Sequence, residues 1–512
     1  MQYKLLFVPL CDLNSALSRT RLIINWSSKG TLLKRIVRVF QRKKEFIMGS
    51  KVLALLPAIG ILSVGLAGCG AASSSPTSSS GHTTVITAWL PAPSPGAPKI
   101  ETPLQLATAL WNKEHPKQPV KLVLNQAIPF SSFLAKLTTA FVAHNPPDIA
   151  YGASGWPFPE ARGGYLAAIN HLTPSWVQSV YDRSVYPSLR AQMPVIHGNI
   201  YALPTQSGGI DGLWYRKDWF RANHLPVPNT WASLLHDAKF FAQPQTAHKY
   251  HLVAPFMIAA SATQPMQTGY EGLGFIYAAG GHLIDHGRVT VNSPATVKAL
   301  TFLRSLRTQG LLPRVALTTT ATSGVALLAK GKLPMAIDGT WQYIALQQDA
   351  NLTSAQMQKD FAWIPFPRMN NHSNSITSTT GANNLMIAKS PVDTLAAKIV
   401  ELSLSPTIAA QESRVEHAAI AKYGITAAPA VEVPDMPSEL TDMVGPAAEV
   451  NFVKTVVAPN LAHARQSLSF TYGAPVQTEV GHLIDAAVFG SGSPAAAAAS
   501  AATTIESQTG LP

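Results

Sequence analysis

Cysteine is nearly absent. The chain has two, Cys11 and Cys69, and none from 70 to 512. A disulfide framework, a cysteine zinc site and a catalytic thiol are therefore excluded from that stretch. Charge is scarce too, at 13% of residues, against about 25% in an average domain. It is also uneven. Residues 1–68 hold eleven of the 39 basic and two of the 27 acidic residues, and so carry +9 of the net +12. The other 444 positions carry +3. A polyanion-binding protein needs its positive charge on the folded body, so nucleic acid is not an expected partner. The clearest apolar run, 52–67, contains Pro57, Gly60 and Gly65. It falls short of the roughly 20 residues of a membrane-spanning helix. No Gly-x-x-x-x-Gly-Lys-Ser/Thr loop and no Gly-x-Ser-x-Gly elbow occurs, so ATP hydrolysis and esterase chemistry have no carrier.

What is present begins with a leader. Basic residues precede the 52–67 run, and Leu66-Ala67-Gly68-Cys69 closes it. That order resembles an export signal ending in a bacterial lipobox, in which the Cys69 thiol is lipidated and becomes the new N-terminus. The alternative is a stop-transfer helix with an incidental cysteine. Lipidation at Cys69 would anchor the protein on the outer face of the cytoplasmic membrane, since several acyl chains together hold stably. Residues 69–84, rich in Ser, Thr, Gly and Ala, read as a polar tether. Residues 1–47 make the leader unusually long, and translation is expected to start at Met48 or just upstream.

The remainder is 46% apolar when counted with the leader, ample for two or three cored domains. Residues 84–90 read as a strand and 103–114 as a helix with Leu104, Ala107, Leu110 and Trp111 on one face. Residues 120–124 form a second strand, 131–143 a second helix and 147–151 a third strand. This alternation predicts a parallel sheet with helices on its faces. Ligands of such sheets bind beyond the carboxyl ends of the strands. Loops 91–99 and 151–160 lie there, the second holding Tyr151, Trp156 and Phe158.

Further on stand Gly198-x-x-Tyr201-x-x-Pro204, then Tyr215-Arg216-Lys217-Asp218-x-Phe220, then Pro228-x-Thr230-Trp231 with Thr230 expected as the N-cap of a helix over 231–242. Gly280-Gly281 follows Tyr270-Glu271-Gly272. Asn292–Leu306 starts Asn-x-Pro and runs into a long helix. Lys330-Gly331-Lys332 leads to Met335 and to Gly339-Thr340-Trp341. Trp363–Pro367 and Thr379–Ile387 read as later strands, and 494–506 as a closing helix. Jointly, these resemble the extracellular solute-binding proteins of ABC transporters, maltose-binding type, over about 85–512. Arg216 stands where that family usually has Asn, Asn199 where it has Lys, and Gly381-Ala382-Asn383-Asn384 where it has paired glycines.

The resemblance implies an α/β, two-lobed periplasmic-binding-protein fold of type II, its lobes joined by crossing hinge strands. Lobe one would be about 85–207 and 367–425, lobe two about 208–362 and 428–512. It implies a carbohydrate ligand in the interlobe cleft, delivery to ABC permease subunits, a monomer, and neither catalysis nor a cofactor or metal. Pyranoses stack on aromatic rings and offer hydroxyls to planar polar groups. The expected ligand residues are Trp341, Trp156, Tyr270, Glu271, Asn383, Asn384 and Asp338. Trp231, Trp214, Tyr215, Trp219 and Trp363 are expected in packing roles, and Asp218 in a local pair.

Three other readings stand beside this one. A glycan-acting enzyme could use Asp211, Glu271 and Asp338 if they met across a cleft. A metal-binding lipoprotein could use His248 and His251 or His282 and His286. A peptide-binding lipoprotein would share the two-lobed plan. Scarce charge also suggests an acidic medium, in which ionised carboxylate pairs are lost.

Overall fold

The computed structural model describes residues 83–93, 101–153, 155–184, 187–190, 193–371, 379–423, 447–461, 464–466 and 473–512. The leader, Cys69 and nearly all of the tether lie outside the described residues, as does most of loop 91–99.

Strand β1 (Thr84–Pro91), helix α1 (Pro103–Glu114), strand β2 (Val120–Ile128), helix α2 (Phe130–Val142) and strand β3 (Ile149–Ala153) follow the alternation read from the sequence. β1 lies between β2 and β3 and is parallel to both, with Ala88 opposite Leu124 on one side and Ile149 on the other. Ile86, Ala88 and Ile149 are buried under α1 residues Leu104 and Ala107 and α2 residues Phe133, Leu137 and Phe141. The helix ends are local. Thr102 and Gln105 cap α1 reciprocally, each side chain taking the other's backbone N–H, which supplies two orphan amides with acceptors.

The sheet is mixed rather than wholly parallel. Three later strands join it: β4 (Ala202–Arg216), β5 (Met335–Gly339) and β6 (Phe361–Ile364). A fourth, β7 (Thr379–Ile387), runs antiparallel to both β3 and β4. The 15-residue β4 changes partners along its length. Up to Ile210 it pairs with β7, from Asp211 with β5, and from Leu213 also with β6. One strand thus belongs to the β1–β3 neighbourhood at its start and to an antiparallel β5–β4–β6 group at its end. This is the crossing strand of a two-lobed α/β fold.

Around the second group lie α3 (Trp231–Ala242), α4 (Pro265–Ala278), α5 (Pro294–Thr308), α6 (Gly473–Phe489) and α7 (Pro494–Thr509). Thr230 caps α3 through Ser233, at the residue the sequence named. Trp231 is buried and stacks on Phe302 with ring centroids 4.5 Å apart. Trp214, Tyr215 and Trp363 are core residues as well. Trp219 packs on Tyr250 at 4.3 Å, with the Arg216 guanidinium 4.1 Å from its ring. Asp218 pairs locally with Arg216, whose Nε lies 2.8 Å from its Oδ1. Among the described residues no helix is long and apolar enough to cross a membrane.

Candidate functional site

The carboxyl ends of the parallel strands carry aromatic rings. β2 ends at Ile128, and Phe130 opens α2 directly after Pro129. Tyr151 lies in β3, and Trp156 follows it. The Phe130 and Trp156 ring centroids are 5.2 Å apart, Tyr151 and Trp156 6.2 Å, and Phe130 and Tyr151 6.4 Å. Phe133 closes the cluster from below, 5.9 Å from Tyr151. Trp156 is buried, and among the described residues its indole N–H has no hydrogen-bond acceptor. Phe130 is 53% exposed, which is unusual for so large an apolar ring. The sequence reading passed over it because the helix was expected to begin one residue later. An aromatic residue directly after Pro129, at the end of a parallel strand, was the available signal.

The cluster reaches β7 through one polar contact. The Tyr151 hydroxyl donates to Asn383 Oδ1 at 2.6 Å. Asn383 is partly exposed, while Asn384, opposite Gly152 in the antiparallel register, is buried. A Cβ at Gly152 would overlap the Asn384 side chain, so that side chain occupies space only glycine leaves.

A second group of the expected ligand residues gathers at the turn after β5. Gly339 ends the strand, and Thr340–Gln342 make one 3-10 turn presenting a half-buried Trp341. The indole folds back over Gly339, where a Cβ would collide with its six-membered ring. That contact is the physical content of the Gly-x-Trp spacing. The turn is held from several sides. Trp214 Nε1 donates to the Gly339 carbonyl at 2.9 Å and Trp363 Nε1 to the Asp338 carbonyl at 3.2 Å. The Ile210 N–H donates to Thr340 Oγ1 at 3.1 Å, which ties the turn to the crossing strand.

Beneath the turn three acidic residues converge: Asp211 on β4, Asp338 on β5 and Glu271 on α4. All are buried, Glu271 completely. Asp338 accepts from the Gly339 N–H at 2.7 Å and from Gln342 Nε2 at 3.2 Å. Glu271 accepts from the Ala259 N–H and from Gln267 Nε2, the latter at 3.1 Å. Burial, then the Asp338 and Asp211 charges, push the Glu271 carboxyl well above the usual carboxylate range, against both hydrogen bonds. Burial also raises Asp338, with Asp211 adding to it and the Gly339 and Gln342 donors opposing.

Tyr270 and Glu271, expected on a loop, are helical residues in the first half of α4. Tyr270 is partly exposed. The resemblance matches both residues to a ligand-contacting loop, whereas here they share a helix with Gly269, Gly272 and Gly274. Each glycine admits a neighbour: the Gln477 backbone, the Ile484 side chain and the Phe366 ring. The suspected glycan-cleaving acids do meet, but inside the protein and not across a cleft. His248 and His251 are exposed, with ring centroids 6.0 Å apart. His286 lies at a hairpin turn beside Asp285. Among the described residues no group of three or more His, Cys, Asp or Glu is placed to hold a metal ion.

The sequence profile of the bacterial extracellular solute-binding protein family matches residues 96–406. Over 122 residues the chain is 25% identical to an uncharacterized ABC transporter extracellular-binding protein of Pyrococcus horikoshii. That match takes in 24% of this chain and 26% of the relative, so the chain spans about a quarter of the length of the curated relative it matches. Among solved structures, a solute-binding protein of Thermotoga lettingae bound with α-D-tagatose aligns with TM-score 0.65 and 18% identity, covering 83% of this chain and all of that one. The GacH receptor of Streptomyces glaucescens, solved unliganded and with acarbose, gives 0.64 and 20%, covering 84% and 99%. The maltose-bound MalE3 of Thermotoga maritima gives 0.60 and 16%, covering 83% and 99%. At these identities the likeness is one of fold.

Proposed function

The chain belongs to the bacterial extracellular solute-binding proteins, and from that premise we propose that it captures a sugar, oligosaccharide or polyol between its lobes for an ABC permease. The observation that carries the reading is the aromatic cluster beyond the parallel strands. It combines an exposed ring face at Phe130 with a buried indole N–H on Trp156 that has no acceptor among the described residues. An apolar sugar face and a ring hydroxyl are the complementary partners. Trp341 is the second stacking surface, backed by a turn that crossing strand β4 holds through the Ile210–Thr340 bond. Asn383 and Tyr270 supply polar groups at partly exposed positions. Glu271, Asp338 and Asn384 present almost no surface in this conformation. Their part in the reading is to support the residues around them. Neighbours with tagatose, acarbose and maltose in their sites agree with this ligand class.

The lobes of the reading meet along β4, near Gln206–Asp211, with lobe one on the β1–β3 side. The protein acts as a monomer, held at the outer face of the cytoplasmic membrane by a lipid on Cys69, and converts nothing chemically.

A thermal-shift screen of sugars, polyols and peptides tests the ligand class. A ligand at 100 times its Kd stabilises by about 2.7 kcal/mol. The expected result is a shift with one carbohydrate that Trp341→Ala abolishes in a protein that still melts cooperatively. Stabilisation by peptides and by no carbohydrate overturns it. Mass spectrometry of the membrane-bound form tests the anchor. A diacylglyceryl adduct on an N-terminal Cys69, lost in Cys69→Ala, is expected, and an unmodified Cys69 refutes it.

A further inference from the structure

The buried acids beneath Trp341 lie outside the ligand surface just described, yet they are attached to it. Asp338 accepts two hydrogen bonds, both from the turn it precedes, Gly339 N–H and Gln342 Nε2. The same turn takes the Ile210 N–H through Thr340. The next residue of that strand is Asp211, which opposes Gly339 across the β4–β5 pair. Glu271 approaches from α4, with one oxygen tied to the Ala259 backbone and the other to Gln267. Crossing strand, turn and helix therefore converge on one group of carboxyls.

We infer that Glu271 and Asp338 form a proton-binding site at the root of the crossing strand, occupied at neutral pH and attached to the Trp341 turn through Asp338. Among the described residues every donor on the pair is an amide, two from backbone and two from glutamine side chains. Amides reduce the cost of a buried carboxylate but leave its charge uncancelled. The charges that act on Glu271 are Asp338 and Asp211, both of its own sign. Like charges sharing a buried site do not all ionise; protons neutralise them instead.

Charged groups on the surrounding elements are directed elsewhere or act weakly here. On α6, His482 lies 3.7 Å from Glu479 and also faces Asp485. On α5, Arg304 donates to the Ala487 carbonyl at the end of α6, while Lys298 and Arg307 are not among the groups that shift either acid. On β4, Arg216 is paired with Asp218. β6 and β7 contain no titratable residue, and α4 adds only the phenols Tyr270 and Tyr277. Burial and like charge both raise the folded pKa of each acid. The folded state therefore holds the proton more tightly than the unfolded chain. The stability this contributes is full below the unfolded values near 4 and is lost as pH rises through the folded ones.

Two measurements on the tethered body decide the matter without ligand, so a failed ligand screen leaves the inference standing. The first is infrared spectroscopy of the wild type at pH 7.5. A protonated-carboxyl stretching band is expected there, and absent in Glu271→Gln/Asp338→Asn. Asp237 and Asp485, with pKa raised to about 6, are ionised at that pH. No such band in the wild type overturns the proposal, even if the variant fails to fold. The second is the melting temperature from pH 4 to 8. Glutamine at 271 mimics the protonated acid, so Glu271→Gln should lose less stability than wild type as pH rises. A variant whose curve runs parallel to wild type also overturns the proposal.

Discussion

Gly339 shows how one residue carries a site. The Trp341 indole lies where a Cβ at 339 would stand, so Gly339→Ala must move the ring or the strand end. Overpacking of this kind costs about 1–3 kcal/mol, and loss of ligand affinity should accompany it. Calorimetry together with a binding titration checks both. Histidine supplies a second lesson at this scale. Five of the six described non-glycine residues with positive φ are histidines: His144, His197, His224, His251 and His286. His197-Gly198 and His286-Gly287 take the two left-handed positions of tight hairpins, a place usually held by Asn-Gly or Asp-Gly. The left-handed conformation costs an ordinary L-residue roughly 1–2 kcal/mol. His197→Val should therefore destabilise by about that amount, more than His197→Asn, as chemical denaturation would show. The pairing of His248 with His251 that suggested metal thus has a backbone explanation for one partner.

At the scale of elements, α4 and α6 are the informative pair. Gly269 on α4 faces the Gln477 backbone, and Gly481 on α6 faces the Pro265 carbonyl. Small residues on both helices let the backbones approach closely and bring Glu271 inward. A Cβ at Gly481 would strike main chain, which cannot rotate away. Gly481→Ala should cost about 1–3 kcal/mol, whereas Gly492→Ala meets nothing within 4 Å and should be near neutral. Unfolding curves of the two variants make the comparison. The end of α6 is held by arginines from α5 and from the turn that follows it. Arg304 donates to the Ala487 carbonyl and Arg314 to that of Phe489. Cations there complement the negative end of the helix dipole.

For the molecule as a whole, protons act in one direction. Asp237 is buried, and its pKa is raised to about 6 by that burial, against the pull of His236. Burial does the same to Asp485 against His482. Burial also raises Glu160, opposed by hydrogen bonds including one from Thr138. Each folded pKa lies above its unfolded value, so each contributes stability that is complete below about pH 4 and lost as pH rises through the folded value, about 6 for Asp237 and Asp485. The melting temperature should therefore rise between pH 7 and pH 4.5. A fall over that range would contradict the burial seen here.

Local order along the chain was enough to place the strands and helices from β1 to β3, the Thr230 cap, the packing tryptophans and the Gly-x-Trp turn. Each rests on residues near one another in sequence: periodicity, a capping side chain, or a glycine two places before an indole. The family was legible for the same reason, since its signature is an ordered series of short motifs. Tertiary structure decided what depends on contacts between distant segments. It made β7 antiparallel to β3 and split β4 between two sets of partners. It turned a glycine-rich stretch into a buried helix, because a glycine's use is visible only in the neighbour it admits. It also gathered Asp211, Glu271 and Asp338 under Trp341. Residues 60 to 127 positions apart share one dielectric environment only after the chain has folded, and that sharing makes three ordinary acids a place to hold a proton.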